Sequence, residues 1–204
     1  MSAQIRNSGP YKFLAFMNGM IKWSRRRFAA PSPAHVKQTC LIRNGIPNAI
    51  WIETGTYTGS TTRILSKHSK MVYSIEPAPS LYASAKRNFR HFKNVEIING
   101  TSEEVFPTLL PRIQGDVNFW LDGHYSSGAT FKGPKSTPID DELKSISENL
   151  PHFKKVAVLV DDIRCFNPKI PEYSDYPSVD LLVDWARANR LHWHIEHDIF
   201  VAKN

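Results

Sequence analysis

The fold is decided by residues 49–76, AIWIETGTYTGSTTRILSKHSKMVYSIE. An apolar run ends at Glu53, a loop follows with glycines at 55 and 59, a helical pattern opens at Ser60 or Thr61, and a second apolar run ends at Glu76. The same alternation then continues along the chain. VEIING (95–100), VNFWLD (117–122) and KVAVLVDD (155–162) read as strands; PSLYASAKRNFRHF (79–92), SEEVFPTLLPRI (102–113), PIDDELKSISENL (138–150) and SVDLLVDWARANR (178–190) read as helices. Short apolar runs separated by helices describe a parallel sheet covered on both faces. The final runs, LHWHIEH (191–197) and DIFVAKN (198–204), are joined too tightly for a crossover and are expected to pair antiparallel. The expected fold class is therefore α/β: a doubly wound, mostly parallel seven-stranded sheet with its last two strands antiparallel.

Size and composition agree with this reading. A chain of 204 residues fits one domain with a short appendage, and at this size roughly 70% of the unfolded surface is buried, so no disulfide staple is needed. Hydrophobic content of 41% and charged content of 22% exclude a disordered or fibrous protein. Cys40 and Cys165 form no framework, which points to a reducing, cytoplasmic setting.

The net charge of +7 is unevenly distributed. Residues 1–52 carry eight Lys and Arg and no acid, whereas the rest carries 18 basic and 19 acidic residues. A nucleic-acid footprint spread over the body is not expected from that balance. Two segments follow: residues 1–33, a basic amphipathic helix and linker ending at Pro31-Ser32-Pro33, and residues 34–204, the body. Within the first, Phe13, Phe16, Met17, Met20 and Ile21 fall at helical spacing, followed by Trp23 and Arg25–Arg27. Two readings stand side by side: a helix packed on the body or capping the site, and an interfacial element contacting anionic lipid through residues 11–28, at the inner face of a membrane.

In an open α/β sheet, ligands bind outside the carboxyl ends of the strands. The first strand delivers Glu53-Thr54-Gly55-Thr56-Tyr57-Thr58-Gly59 there. Gly55 and Gly59 are expected to admit a close backbone approach to a ligand. The spacing is not that of a dinucleotide loop, and the Glu53 carboxylate favours a cationic ligand over a pyrophosphate. The second strand ends in Glu76, about 20 residues past the first glycine, where an acid accepts the hydroxyls of a ribose. Asn99-Gly100-Thr101-Ser102 adds hydroxyls within reach of a base edge. The fourth and fifth strands end in Asp122-Gly123-His124-Tyr125 and Asp161-Asp162. Three converging carboxylates call for a compensating cation, for which a hard divalent ion such as Mg²⁺ is the simplest choice.

An acid-led glycine loop followed by a ribose-binding Glu resembles the class I S-adenosylmethionine-dependent methyltransferases, whose sheet is Rossmann-like. The resemblance spans Ile50 to the end and implies cofactor contacts at Glu53, Gly55, Thr56, Tyr57, Gly59, Glu76, Pro77, Ser102 and Asp122. Tyr57 stands where that family often has Gly. The Asp122-Gly123 and Asp161-Asp162 strand ends are similar to those of metal-dependent, macrocin-type sugar O-methyltransferases. That likeness implies Asp122, Asp161 and Asp162 as Mg²⁺ ligands and a hydroxyl of a sugar or glycan-like small molecule as acceptor. His124 occupies the place of the second Asp of the macrocin pattern, the position of the base. An imidazole with a reference pKa of ~6.5 accepts a proton near neutrality from a hydroxyl acidified by a metal. No nucleic-acid partner is expected, because Asp122-Gly123-His124-Tyr125 stands where base-methylating enzymes carry their tetrad. The alternatives are a membrane-attached cofactor-binding module without turnover, and a methyltransferase of a phenolic or nucleic-acid acceptor. His192, His194 and His197 lie in expected strands without a cysteine partner and are not read as a metal site.

Overall fold

The computed structural model describes residues 9–123 and 137–204. Two helices, α1 (Gly9–Arg25) and α2 (Ala34–Asn44), precede the alternating body. Its order is β1 (Ile50–Thr54), α3 (Ser60–Leu65), β2 (Met71–Glu76), α4 (Pro79–Phe89), β3 (Val95–Asn99), α5 (Ser102–Leu109) and β4 (Gly115–Leu121). Then follow α6 (Ile139–Asn149), β5 (Phe153–Val160), α7 (Val179–Ala188), β6 (His192–Glu196) and β7 (Ile199–Lys203). Local signals set several boundaries. Thr101 and Glu104 form a reciprocal capping box at the start of α5, and the Ser178 hydroxyl accepts the Asp180 N–H at 3.2 Å to open α7. Helix α3 stops at Leu65, and the Asn94 side chain then donates to the carbonyls of Ser66 and Ser69.

The seven strands lie in the order β3-β2-β1-β4-β5-β7-β6. Pairs among β1 to β5 are parallel, and β7 runs antiparallel to both β5 and β6. The expected fold class is the observed one.

Strand alternation divides the core between the two faces. Ile52, Phe119, Val158 and Phe200 face Phe106 of α5, Leu143 and Ile146 of α6 and Leu182 of α7. Their neighbours Trp51, Trp120, Leu159 and Val201 face Cys40 and Leu41 of α2 and Leu65 of α3. Both faces of each central strand are therefore buried, which is why these strands are mostly apolar. The order of connections reverses between β1 and β4, so the crevice at a topological switch point opens above the tips of these two strands.

Candidate functional site

Three groups of residues meet at that crevice. The first is the loop after β1. Its glycines differ from expectation in what their missing side chains clear. A Cβ on Gly55 would lie 2.6 Å from the Asp122 carbonyl oxygen, and one on Gly59 would lie 2.5 Å from the Phe89 ring. Both backbones have positive φ, 90° and 76°. The two glycines thus let the loop fold down on the β4 tip and on α4: the close approach is to protein atoms. Tyr57, between them, also adopts a left-handed φ of 48° and is 56% exposed. The family's Gly at this place is cheaper in that backbone region.

Two acids serve the loop in different ways. Glu53 is fully buried on the α3 side, where its Oε2 accepts from the Thr62 and Ser74 hydroxyls, both at 2.6 Å. Burial pushes its pKa up to about 7 against the pull of those two hydrogen bonds. Its Oε1 has no partner among the described residues, which leaves one acceptor for a ligand donor. Glu76, at the β2 tip, accepts the Tyr57 N–H at 2.8 Å on one oxygen and the Ala78 N–H at 3.0 Å on the other. An ionised carboxylate offers about four acceptor positions. Two backbone donors therefore fix its orientation and leave capacity for the two hydroxyls of a ribose. Pro77 follows directly, and Ser102 lies buried at the head of α5 across the crevice. These residues fit S-adenosylmethionine: a diol acceptor at Glu76, an unpartnered acceptor at Glu53, and hydroxyls at the β3 tip.

The second group is one the sequence reading missed. Glu142, on α6, is 2% exposed. Burial raises its pKa to about 7, against the opposing influence of the nearby Ser102 and Thr54 hydroxyls. Its Oε1 is unpartnered among the described residues and would lie 3.5 Å from a Cβ on Gly123. A small cavity, with room for about one water at 10 Å³, lies beside it and is also lined by Asp161 and Tyr176. Glu142 and Glu53 thus flank the β1 tip from opposite faces of the sheet. The available signal was an acid inside an apolar stripe: Ile139, Leu143 and Ile146 are the buried neighbours of Glu142 on α6.

The third group sets a protein cation beside the expected metal ligands. Asp161 and Asp162 do come together with the Asp122 end of β4, close enough that the Asp122 carboxylate is one cause of the Asp161 shift. Burial first, then Asp122 and Asp162, push Asp161 up to about 7. The compensating cation is Lys37, from α2. Its Nζ lies 2.6 Å from one oxygen of Asp161 and 2.6 Å from one oxygen of Asp162. Arg164 closes the network, bonded to Asp162 at 2.6 Å and to Asp198. Burial opposes the Lys37 charge, yet the two aspartates outweigh it and raise its pKa. Asp162 itself sits in the left-handed region, φ 55°, where a short turn begins. A divalent ion between the pair would have to displace the Lys37 ammonium. An ammonium occupies the space between the carboxylates, and no three His, Cys, Asp or Glu side chains are grouped as ligands among the described residues. Lys37 was legible only as part of a face: with Cys40, Leu41 and Asn44 it falls at helical spacing on the buried side of α2.

Other expectations resolve simply. His124, the expected base, lies outside the described residues, as does the stretch 125–136 that follows it. His192 and His194 lie on edge strand β6, and His197 lies in the turn to β7.

No protein-family profile matches the sequence, and no curated protein is similar to it. Solved structures do match. A SAM-dependent methyltransferase from Aquifex aeolicus superposes with a TM-score of 0.53 at 16% identity, over 85% of this chain and 93% of that one. The N-methyltransferase NodS from Bradyrhizobium japonicum WM9, in complex with S-adenosyl-L-homocysteine, gives 0.54 at 11% identity, over 83% and 85%. The 23S rRNA methyltransferase ErmE gives 0.52 at 14% identity, over 84% and 67%. At such identities the likeness is one of architecture, and the chain has the Rossmann-like fold that these methyltransferases share.

Proposed function

We propose that this chain is an S-adenosylmethionine-dependent methyltransferase whose acceptor is a hydroxyl of a sugar or glycan-like small molecule. The observation that carries the reading is Glu76: a buried carboxylate oriented by two backbone N–H groups at the β2 tip, with acceptor capacity left for a vicinal diol. When bound, the cofactor supplies an electrophilic methyl group on a sulfonium. Glu76 holds the ribose hydroxyls, and the Glu53 oxygen without a protein partner takes a donor from the cationic half of the molecule. The loop 54–59, pinned to the β4 tip at Gly55, excludes water from that half.

At the acceptor side a base must take the hydroxyl proton as the new O–CH₃ bond forms and the S–CH₃ bond breaks. Two groups support this role: His124, next in sequence to Gly123, and Glu142, whose carboxyl lies beside Gly123 with a pKa near 7. Lys37 already neutralises Asp161 and Asp162, so a divalent ion would enter there only by displacing its ammonium. The named acceptors of the structural neighbours differ from one another, so the hydroxyl rests on the strand-end acids and their likeness to sugar O-methyltransferases.

Calorimetry with S-adenosylhomocysteine tests the reading. The chain is expected to bind it, and Glu76→Ala to weaken binding about tenfold or more, the scale of hydrogen bonds to a charged group. Undiminished affinity in the variant would reject the ribose assignment. A labelled-methyl assay over hydroxyl acceptors, with and without chelator, then tests the acceptor class; transfer that stops with chelator would mean that a divalent ion takes part.

A further inference from the structure

Helix α1 presents an apolar surface that the body does not cover. Of the nine large hydrophobic side chains exposed among the described residues, six lie between positions 13 and 28: Phe13, Leu14, Phe16, Met17, Ile21 and Phe28. Phe13 and Leu14 are the most exposed, at 63% and 66%. Concentration of this kind on one element marks a surface that is covered when the protein works. Beside it stand four exposed cations, Lys22, Arg25, Arg26 and Arg27.

Charge selects the occupant. Residues 1–52 carry no acid, so a second copy docking on the same face would set cations against cations. A nucleic acid would satisfy the arginines but leave aliphatic Leu14, Met17 and Ile21 uncovered. An anionic bilayer surface satisfies both, because apolar side chains enter the acyl boundary while Lys and Arg meet the headgroups. The arrangement lies on a membrane and does not cross it: no described helix is long and apolar enough to span. We propose that α1 and the turn after it bind the surface of a bilayer carrying anionic headgroups.

The root of this helix is fastened at the site end of the sheet. Trp23 is buried, with its indole N–H donating to the Ala29 carbonyl at 3.0 Å and its ring 5.8 Å from that of His197. The Ser32 hydroxyl donates to the His197 carbonyl at 3.1 Å. His197 precedes Asp198, the partner of Arg164 in the aspartate network. Phe16 and Met20 meet His35 on α2, two residues before Lys37. Membrane contact through α1 would therefore hold the crevice at the bilayer surface.

Co-sedimentation of the full chain with vesicles tests the proposal. Binding is expected to phosphatidylcholine vesicles that contain phosphatidylglycerol, and to fall as salt is raised. Arg25→Gln with Arg27→Gln should weaken it about 30-fold, at about 1 kcal/mol per basic residue. Phe13→Ser with Leu14→Ser should weaken it about tenfold or more through lost apolar burial. Both pairs are surface residues, and an unchanged melting temperature verifies folding. The proposal is overturned by equal binding to pure phosphatidylcholine, by no binding at low salt, or by Phe13/Leu14 variants that sediment like the parent. Tighter capture by RNA than by the vesicles, or a solution dimer abolished by Phe13→Ser, would overturn it as well.

Discussion

The two halves of the crevice handle buried acid in opposite ways. At the β1–β2 side, Glu53 and Glu76 are held by neutral donors: the Thr62 and Ser74 hydroxyls, and the Tyr57 and Ala78 N–H groups. All of these lie within 21 positions of the acid they serve. At the β4–β5 side, Asp161 and Asp162 are held by full charges, and the decisive one, Lys37, is 124 positions from Asp161. A neutral cradle leaves charge and acceptor positions for an incoming ligand. A lysine clamp consumes both. The first side is therefore built to receive something, and the second to hold the β5 tip in place.

Removing the clamp should produce the largest effect. Lys37→Met leaves the buried Asp161 and Asp162 without their shared cation, and breaking a buried pair in this way costs about 3–5 kcal/mol. Urea unfolding measures the loss. Added Mg²⁺ should recover part of it by entering between the vacated carboxylates, whereas the parent should not respond. A variant as stable as the parent would mean that the network is a surface ornament and that the contrast between the halves is false.

Glu142 sharpens the comparison through pH. Folding raises its pKa from the ordinary 4.5 to about 7, so the native state binds more protons than the unfolded state between those values. Stability contributed by this group is full below about pH 4.5 and is lost as pH rises toward 7. Glu142→Gln keeps the neutral shape and removes the titration. Its stability relative to the parent should rise by on the order of 2–3 kcal/mol between pH 5 and pH 8. Parallel curves for the two proteins across that range would show that Glu142 is ionised in the fold.

The neutral cradle should give the smallest effect. Thr62→Val removes one of two hydroxyl donors to Glu53 while keeping the shape of the side chain. The expected loss is about 1 kcal/mol, the ordinary worth of one hydrogen bond, with Ser74 still in place. A loss rivalling that of Lys37→Met would place a full negative charge on Glu53 and erase the distinction.

The same contrast explains what was legible in the sequence. Glu53 and Glu76 were found because a loop and two strand ends place them by spacing alone, and the register between β1 and β2 then brings Thr54 opposite Ile75. Asp122, Asp161 and Asp162 were likewise placed at neighbouring strand tips by the parallel order. The lysine beside them was not legible, because a cluster of acids announces a cation without saying which, and Lys37 lies on a helix outside the alternating pattern. Glu142 was not legible as a site residue, because it stands in an acidic first turn beside Asp140 and Asp141 and only packing sets it apart from them.

Taken by itself, the amino-acid order determined the strand and helix alternation, the antiparallel final pair, the acids at the strand tips and the charge asymmetry of the first 52 residues. Each follows from short-range periodicity, which a linear chain records directly. Tertiary structure alone decided that Lys37 stands between two aspartates, that the loop glycines clear Asp122 and Phe89, and that the apolar side of α1 stays uncovered. Those outcomes depend on which distant surfaces meet, and that is settled by packing two faces of one sheet at once.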